Sequence, residues 1–141
     1  MAKAICKVLG VVFLAVGLLG FIFPNLLGMH LSGAHNIIHL ISAALALYFG
    51  FSASPGAART FSLIFGAVYL LLGALGFIAP GSVIGLLQAH HAPGGLRSLA
   101  ADNIVHILLG VVFIIAGLAR APHVAPITTH RGTTGGPTAR G

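Results

Sequence analysis

Four long apolar runs, separated by short polar segments, dominate the chain. They cover residues 5–23, 35–51, 61–79 and 103–119. Each approaches or reaches the roughly 17 to 25 residues that an α-helix needs to cross the hydrocarbon core of a bilayer. Because the runs are apolar on every face rather than alternating, they do not indicate the strands of a membrane barrel. The pattern predicts an all-α integral membrane protein whose four spans form one domain, residues 1–121.

The two halves of the chain resemble each other. Two pairs of segments align: GVVFLAVGLLGFIFP at 10–24 with GAVYLLLGALGFIAP at 66–80, identical at nine of fifteen positions, and HNIIHL at 35–40 with DNIVHI at 102–107. Repeat 1 covers about residues 5–52 and repeat 2 about residues 61–119. Each repeat contains two spans, so both repeats start on the same side of the membrane and are related by an axis along its normal. We therefore predict a four-helix bundle made of two parallel helical-hairpin repeats, with equivalent residues at equal depth.

Small residues recur seven positions apart in every predicted helix. They are Gly10, Gly17, Ala43, Gly50, Gly66, Gly73, Gly110 and Gly117. Seven residues are close to two helical turns, so each pair lies on one face and forms a groove for a neighbouring helix. In lipid, close van der Waals contact has to drive helix association, because apolar side chains gain little from leaving the acyl chains for another helix. We predict that these eight positions are helix-packing sites.

Composition and charge agree with a membrane protein and suggest its orientation. The chain is 57% hydrophobic and 6% charged, whereas about a quarter of an ordinary soluble domain is charged. The net charge of +6 does not indicate nucleic-acid binding, because the basic residues are scattered singly. They fall on one side of the predicted topology, Lys3, Lys7, Arg59, Arg120, Arg131 and Arg140, with Arg97 alone on the other. The positive-inside rule then places both termini and the connection between helices 2 and 3 in the cytoplasm.

The segment 122–141, which follows the last span, has a composition of its own. It is rich in Pro, Gly, Thr and Arg and has no apolar period. Such a segment buries too little apolar surface to offset the entropy lost on ordering. We predict a disordered cytoplasmic tail.

Three motifs carry a family resemblance: GAVYLLLGALGF in helix 3, HNIIH at the start of helix 2 and DNIVH at the start of helix 4. Taken in chain order, they resemble a bacterial membrane family known as domain of unknown function 4383, and the resemblance covers roughly residues 9–117. It implies a small four-helix integral membrane protein, which we expect in the bacterial plasma membrane. The resemblance implies no biochemical role.

Six polar residues stand near the starts of helices 2 and 4. They are His35, Asn36, His39, Asp102, Asn103 and His106. Positions i and i+4 share a helix face, so each helix presents a pair of titratable groups, and the repeat brings the two pairs to one depth near the outer face. The first interpretation is structural: Asp102 or Asn103 caps a helix start, and His39 and His106 hydrogen-bond neighbouring helices. The protein would then be a structural or accessory component that assembles as a homo-oligomer or with another membrane protein.

Three other interpretations of the same residues stay open. Zinc accepts the imidazole and carboxylate donors of His35, His39, Asp102 and His106, with Asn36 and Asn103 orienting the ligands. Haem b would use His39 and His106 as axial ligands. A small transporter or a proton-conducting subunit would use the same groups to move an ion. An enzyme is not expected, because the chain has a single acidic residue and so lacks a pair of carboxylates to divide acid and base roles.

Overall fold

The computed structural model describes residues 1–26, 29–79 and 96–119 and is almost entirely helical. Its helices are α1 (Ala2–Leu19), α2 (Gly33–Phe51), α3 (Pro55–Ile78) and α4 (Leu96–Leu118). All four contain a stretch long and apolar enough to cross a membrane. The predicted all-α fold with four spanning helices is confirmed. The predicted tail, residues 122–141, lies outside the described residues.

All four helices begin earlier than the apolar pattern predicts. Serine side chains explain two of these starts: the Ser32 hydroxyl accepts a hydrogen bond from the backbone N–H of His35, and the Ser54 hydroxyl from that of Ala57, each at 3.2 Å. A serine in this position satisfies a backbone donor that the first helical turn leaves unpaired. Pro55 then opens α3 with its fixed backbone angle. Helices α2 and α3 therefore begin at polar caps and not at the first apolar residue.

The connection between α1 and α2 contains a short hairpin that the sequence did not predict. After α1 ends at Leu19, strands β1 (Asn25–Leu26) and β2 (Met29–His30) pair in antiparallel fashion. The hairpin is closed by a contact of 3.1 Å between the Asn25 side-chain oxygen and Nδ1 of His30. Two-residue strands are too short to show a period of two in the sequence.

Glycines bring the helices of each hairpin into close contact. A Cβ added to Gly66 would lie 2.8 Å from the carbonyl oxygen of Gly110, and one added to Gly110 would lie 2.8 Å from that of Gly66. Added Cβ atoms at the other predicted packing glycines, Gly10, Gly17, Gly50, Gly73 and Gly117, would lie 2.6–2.9 Å from atoms of the partner helix. The same kind of approach therefore recurs in α1 with α2 and in α3 with α4. This is what two parallel repeats would produce, although the repeat itself stays a prediction of the sequence.

An aromatic layer joins the two hairpins. Phe13 of α1 stacks on Phe113 of α4, with ring centroids 6.3 Å apart, and Phe65 of α3 meets Phe113 edge-on at 5.2 Å. The outer surface is also apolar: Val8, Ile41, Leu71 and Ile115 are each more than half exposed. A surface of this kind is unsuited to water and suits the acyl chains of a bilayer.

Two cations close the helix ends opposite the hairpin. The Lys3 ammonium donates to the carbonyl oxygen of Ala53 at 2.8 Å, and Nε of Arg59 donates to that of Gly117 at 3.0 Å. Lys3 and Arg59 occupy positions that the sequence repeat aligns. Each binds carbonyls at the C-terminal end of the helix beside it, where the backbone dipoles favour positive charge.

Candidate functional site

The six polar residues singled out in the sequence are all buried. We call them the polar cluster: His35, Asn36, His39, Asp102, Asn103 and His106 are each at most 8% exposed. Their place in the helices contradicts the capping interpretation. Ser32 caps α2, and Asp102 lies six residues after the start of α4, where backbone N–H groups already have partners within the helix. The expectation that Asp102 or Asn103 caps the start of helix 4 is therefore wrong.

Asp102 lies between two imidazoles contributed by different helices. Its Oδ1 is 3.9 Å from Nε2 of His35 and 3.6 Å from Nδ1 of His106. Nδ1 of His106 is also 2.8 Å from the backbone carbonyl oxygen of Asp102. A carbonyl oxygen only accepts, so Nδ1 of His106 carries the proton and donates it, which leaves the lone pair of the neutral ring on Nε2. One ligand atom each from His35, Asp102 and His106 lie within 4.8 Å of one another.

His39 does not join this group of three. Its ring stacks on His35 on one side, with centroids 4.6 Å apart, and on Phe13 on the other, at 5.7 Å. The predicted four-residue ligand set therefore reduces to three in the structure. The reason is that a residue one turn further along α2 lies deeper in the bundle, against the aromatic layer.

The two asparagines have a packing role that the sequence did not predict. A Cβ on Gly20 would overlap the side-chain amide of Asn36, and a Cβ on Gly76 would overlap that of Asn103. Asn36 donates to the carbonyl oxygen of Leu31 at 3.5 Å. Among the described residues neither amide hydrogen-bonds an imidazole or carboxylate of the polar cluster. The asparagines thus fill hollows above Gly20, which follows α1, and Gly76 of α3, and the predicted orienting role is not seen.

Tyr69 of α3 is the neighbour of the polar cluster that the sequence analysis missed. Its hydroxyl donates to the Ser42 hydroxyl at 3.0 Å, and its ring stacks on His106 with centroids 5.4 Å apart. The repeat contained a signal for it, because Tyr69 aligns with Phe13. Phe13 stacks on His39 as Tyr69 stacks on His106, and only the second of these equivalent rings carries a hydroxyl.

Several polar atoms of the cluster lack hydrogen-bond partners among the described residues. They are Nδ1 of His35, Oδ1 of Asn36, Nδ1 of His39, Oδ2 of Asp102 and both polar atoms of the Asn103 amide. Buried polar groups in proteins are nearly always satisfied, by protein groups or by bound ions and waters. Hydrogen bonding between helices alone therefore does not account for this set.

Two clefts reach the polar cluster from the sides of the bundle. The α2/α3 cleft has a volume of about 240 Å³ and the α1/α4 cleft about 130 Å³, and His39 and His106 line both. Ligand pockets for drug-sized molecules typically measure about 300–1,000 Å³. Neither cleft reaches the size that a haem would need beside His39 and His106, so the site does not support the haem alternative.

Four apolar spanning helices around a buried polar cluster define a small multi-pass membrane protein. A family model described as Domain of unknown function (DUF4383) matches residues 3–119, and the chain belongs to that family. No match was found among curated proteins or among solved structures. The family description assigns no activity, so any function rests on the chemistry of the polar cluster.

Proposed function

We propose that this membrane protein binds a divalent transition metal, of the zinc class, through His35, Asp102 and His106. One observation carries the proposal: two imidazoles and a carboxylate, all buried, offer ligand atoms within 4.8 Å of one another. Nitrogen and oxygen donors of these types are the ones that zinc and related ions accept. Helix α2 contributes His35, and α4 contributes Asp102 and His106. The sequence repeat aligns His35 with Asp102, and His106 lies one turn after Asp102.

The distances suit closure around an ion. Tetrahedral ligands with bonds of about 2.0–2.1 Å lie about 3.3 Å apart. Oδ1 of Asp102 is already 3.9 Å from Nε2 of His35. His106 would bind through Nε2, the ring atom that carries the lone pair, because its Nδ1–H is donated to the Asp102 carbonyl oxygen. A divalent ion would also supply the positive charge that a buried carboxylate needs in a low-dielectric interior. Three protein ligands leave one coordination position for water or another ligand.

Binding is better supported than transport or catalysis. In the described part of the chain, the interior beyond the polar cluster is filled by Phe13, Phe65 and Phe113, which offer an ion no polar route. The single carboxylate is a proposed ligand, so none is left to act as a general base. The protein would accordingly be a metal-binding or accessory component that works as a homo-oligomer or with another membrane protein.

The orientation is part of the same proposal. Lys3 and Arg59 lie at the same end of the bundle, opposite the hairpin. By the positive-inside rule this end faces the cytoplasm of a bacterial plasma membrane, with both termini on that side. The polar cluster would then lie near the outer face, where a metal ion arriving from outside has a short way to travel.

The test compares two histidines that lie one turn apart on α2. Tagless protein, purified in detergent and exposed to zinc, is washed free of loose metal and analysed by elemental mass spectrometry. We expect near-stoichiometric zinc in the wild type and in His39→Phe, and loss of zinc in His35→Phe. Loss in both variants would restore the four-ligand set that the sequence predicted. Absence of metal from folded wild-type protein would refute the proposal.

A further inference from the structure

The α2/α3 cleft opens toward the lipid and ends at polar groups. Its walls are apolar and formed by Ile38, Ile41, Leu45, Phe65, Val68 and Leu72. Two of these side chains, Ile41 and Val68, are 56% and 45% exposed on the lipid-facing surface. At its inner end lie His35, His39, Ser42, Tyr69 and His106. Because both helices span the membrane, a molecule that enters this cleft sideways has to come from the bilayer.

Polar atoms at the inner end of the cleft lack hydrogen-bond partners among the described residues, and an acyl chain would not supply them. His35 and His39 are at least 92% buried, and Nδ1 of each lacks a hydrogen-bond partner among the described residues. A lipid tail would fill the apolar walls and leave both nitrogens unpaired, at the full desolvation penalty of each. A neutral imidazole nitrogen donates or accepts according to its tautomer, so it can pair with a carbonyl or with a hydroxyl.

The rings around the cleft favour a flat head group. His35 and His39 stack with centroids 4.6 Å apart, and Phe65 and Tyr69 lie 4.9 Å apart on the opposite helix. Aromatic faces bind planar rings in offset-stacked or edge-on arrangements. A planar ring that carries oxygens therefore matches both the shape and the polarity of the inner end.

The α1/α4 cleft is equivalent in the sequence repeat and also reaches His39 and His106, but it lacks the hydroxyl pair. It is smaller, about 130 Å³ against about 240 Å³. Phe13 and Leu109 occupy the positions that align with Tyr69 and Ser42, so apolar groups replace the hydroxyl pair that bonds across the larger cleft. The two clefts differ at the residues that would select a polar head.

We propose that the α2/α3 cleft binds the head group of a lipid-soluble quinone or quinol, with the tail of that molecule remaining in the bilayer. The quinone carbonyl accepts from the imidazole N–H of His39, and the quinol hydroxyl donates to the same nitrogen in its other tautomer. This proposal is independent of metal binding, because it uses His39, which is not one of the three proposed metal ligands, and does not require Asp102.

The single cysteine of the chain supplies the assay. Cys6 is fully buried, so a thiol-reactive fluorescent dye reports unfolding as this residue becomes exposed. The full-length protein in lipid nanodiscs is heated with increasing decylubiquinone, whose fully substituted ring does not add thiols. Decylbenzene, which has the same tail and no oxygen, is titrated in parallel. We expect saturable stabilisation by decylubiquinone only.

Matched variants locate the binding site. Val68 and Val12 occupy aligned positions, are 45% and 43% exposed, and line the α2/α3 and α1/α4 clefts respectively. We expect Val68→Trp to weaken decylubiquinone binding at least tenfold and Val12→Trp to leave it unchanged. His39→Phe keeps a ring and removes its nitrogens, so it should weaken binding roughly two- to tenfold, the effect of one lost hydrogen bond.

Each other outcome overturns the proposal. Equal stabilisation by decylbenzene would show a groove for acyl chains, and wild-type affinity in Val68→Trp would show that the α2/α3 cleft is not the site. Loss in Val12→Trp would point to the α1/α4 cleft. Should Val68→Trp fail to fold, the result for His39→Phe decides, and unchanged affinity there would refute the role of the imidazole. Zinc content measured on the same samples keeps this result separate from the metal proposal.

Discussion

Asp102→Asn should change stability with opposite signs in the absence and in the presence of metal. Asp102 is 2% exposed, and its Oδ2 lacks a hydrogen-bond partner among the described residues. Without metal, an uncharged amide of nearly the same shape is easier to bury than a carboxylate, so we expect the variant to be at least as stable as the wild type. With zinc, the variant loses its only anionic ligand.

The size of the metal effect follows from linkage. At zinc equal to a hundred times the dissociation constant, binding stabilises the wild type by about 2.7 kcal/mol. Loss of even a residue that only supports a ligand weakens metal binding by about 10- to 100-fold. A hundredfold loss leaves about 0.4 kcal/mol at the same zinc concentration. Zinc should therefore stabilise the wild type by about 2.3 kcal/mol more than the variant.

The measurement is an unfolding titration with SDS in mixed micelles, followed by far-ultraviolet circular dichroism, with either chelator or zinc present. Asn103→Asp is an unsuitable control because it adds a charge, so His39→Phe serves instead. His39→Phe should gain as much stability from zinc as the wild type does. If Asp102→Asn gained the same stabilisation from zinc as the wild type, the carboxylate would not be a ligand and the metal site would have to be abandoned.

Three further predictions test the packing, the repeat and the orientation. Gly66→Ala should destabilise the bundle by about 1–2 kcal/mol in the same SDS titration, because its Cβ would meet the Gly110 carbonyl oxygen at 2.8 Å and the helices would have to separate; no loss would show a looser interface. The exchange His35→Asp/Asp102→His should keep zinc binding that each single change loses, because the repeat aligns the two positions; loss in the double variant would contradict their equivalence. Asn25→Cys, in a chain whose native cysteine is replaced, should react with an impermeant maleimide added to intact cells, and protection would reverse the proposed orientation.

The sequence was sufficient for the spanning helices because their signal is strong and local. Four long apolar runs leave only a helical fold, since backbone groups in lipid have to pair within their own segment. Burial of the polar cluster was also predictable, because polar residues in spans turn away from lipid. The i, i+4 spacing placed His35 with His39 and Asp102 with His106 on common faces. In these cases one helix contains all the required information.

Features that depend on contacts between helices were not predictable from the spacing. The choice of His35 over His39 as partner of Asp102 depends on how far α2 and α4 are offset along their axes. Asn36 was assigned a role toward the imidazoles, but the space above Gly20 accommodates its amide. The helix starts were also missed, because Ser32 and Ser54 lie outside the apolar runs and serine occurs in loops as often as in caps.

Two differences between the aligned halves lie where a ligand would bind. The close glycine contacts and the carbonyl-binding cations recur in both hairpins, and these are features that hold helices together. The aligned pairs His35 with Asp102, and Tyr69 with Phe13, differ in chemistry, and all of these residues border the polar cluster or its clefts. Packing alone would favour the same residue in both halves, because the same groove has to be filled twice. The Asp102 carboxylate and the Tyr69–Ser42 hydroxyl pair are better explained by binding. A single bound ion needs only one anionic ligand, and a single bound head group needs polar partners in only one cleft.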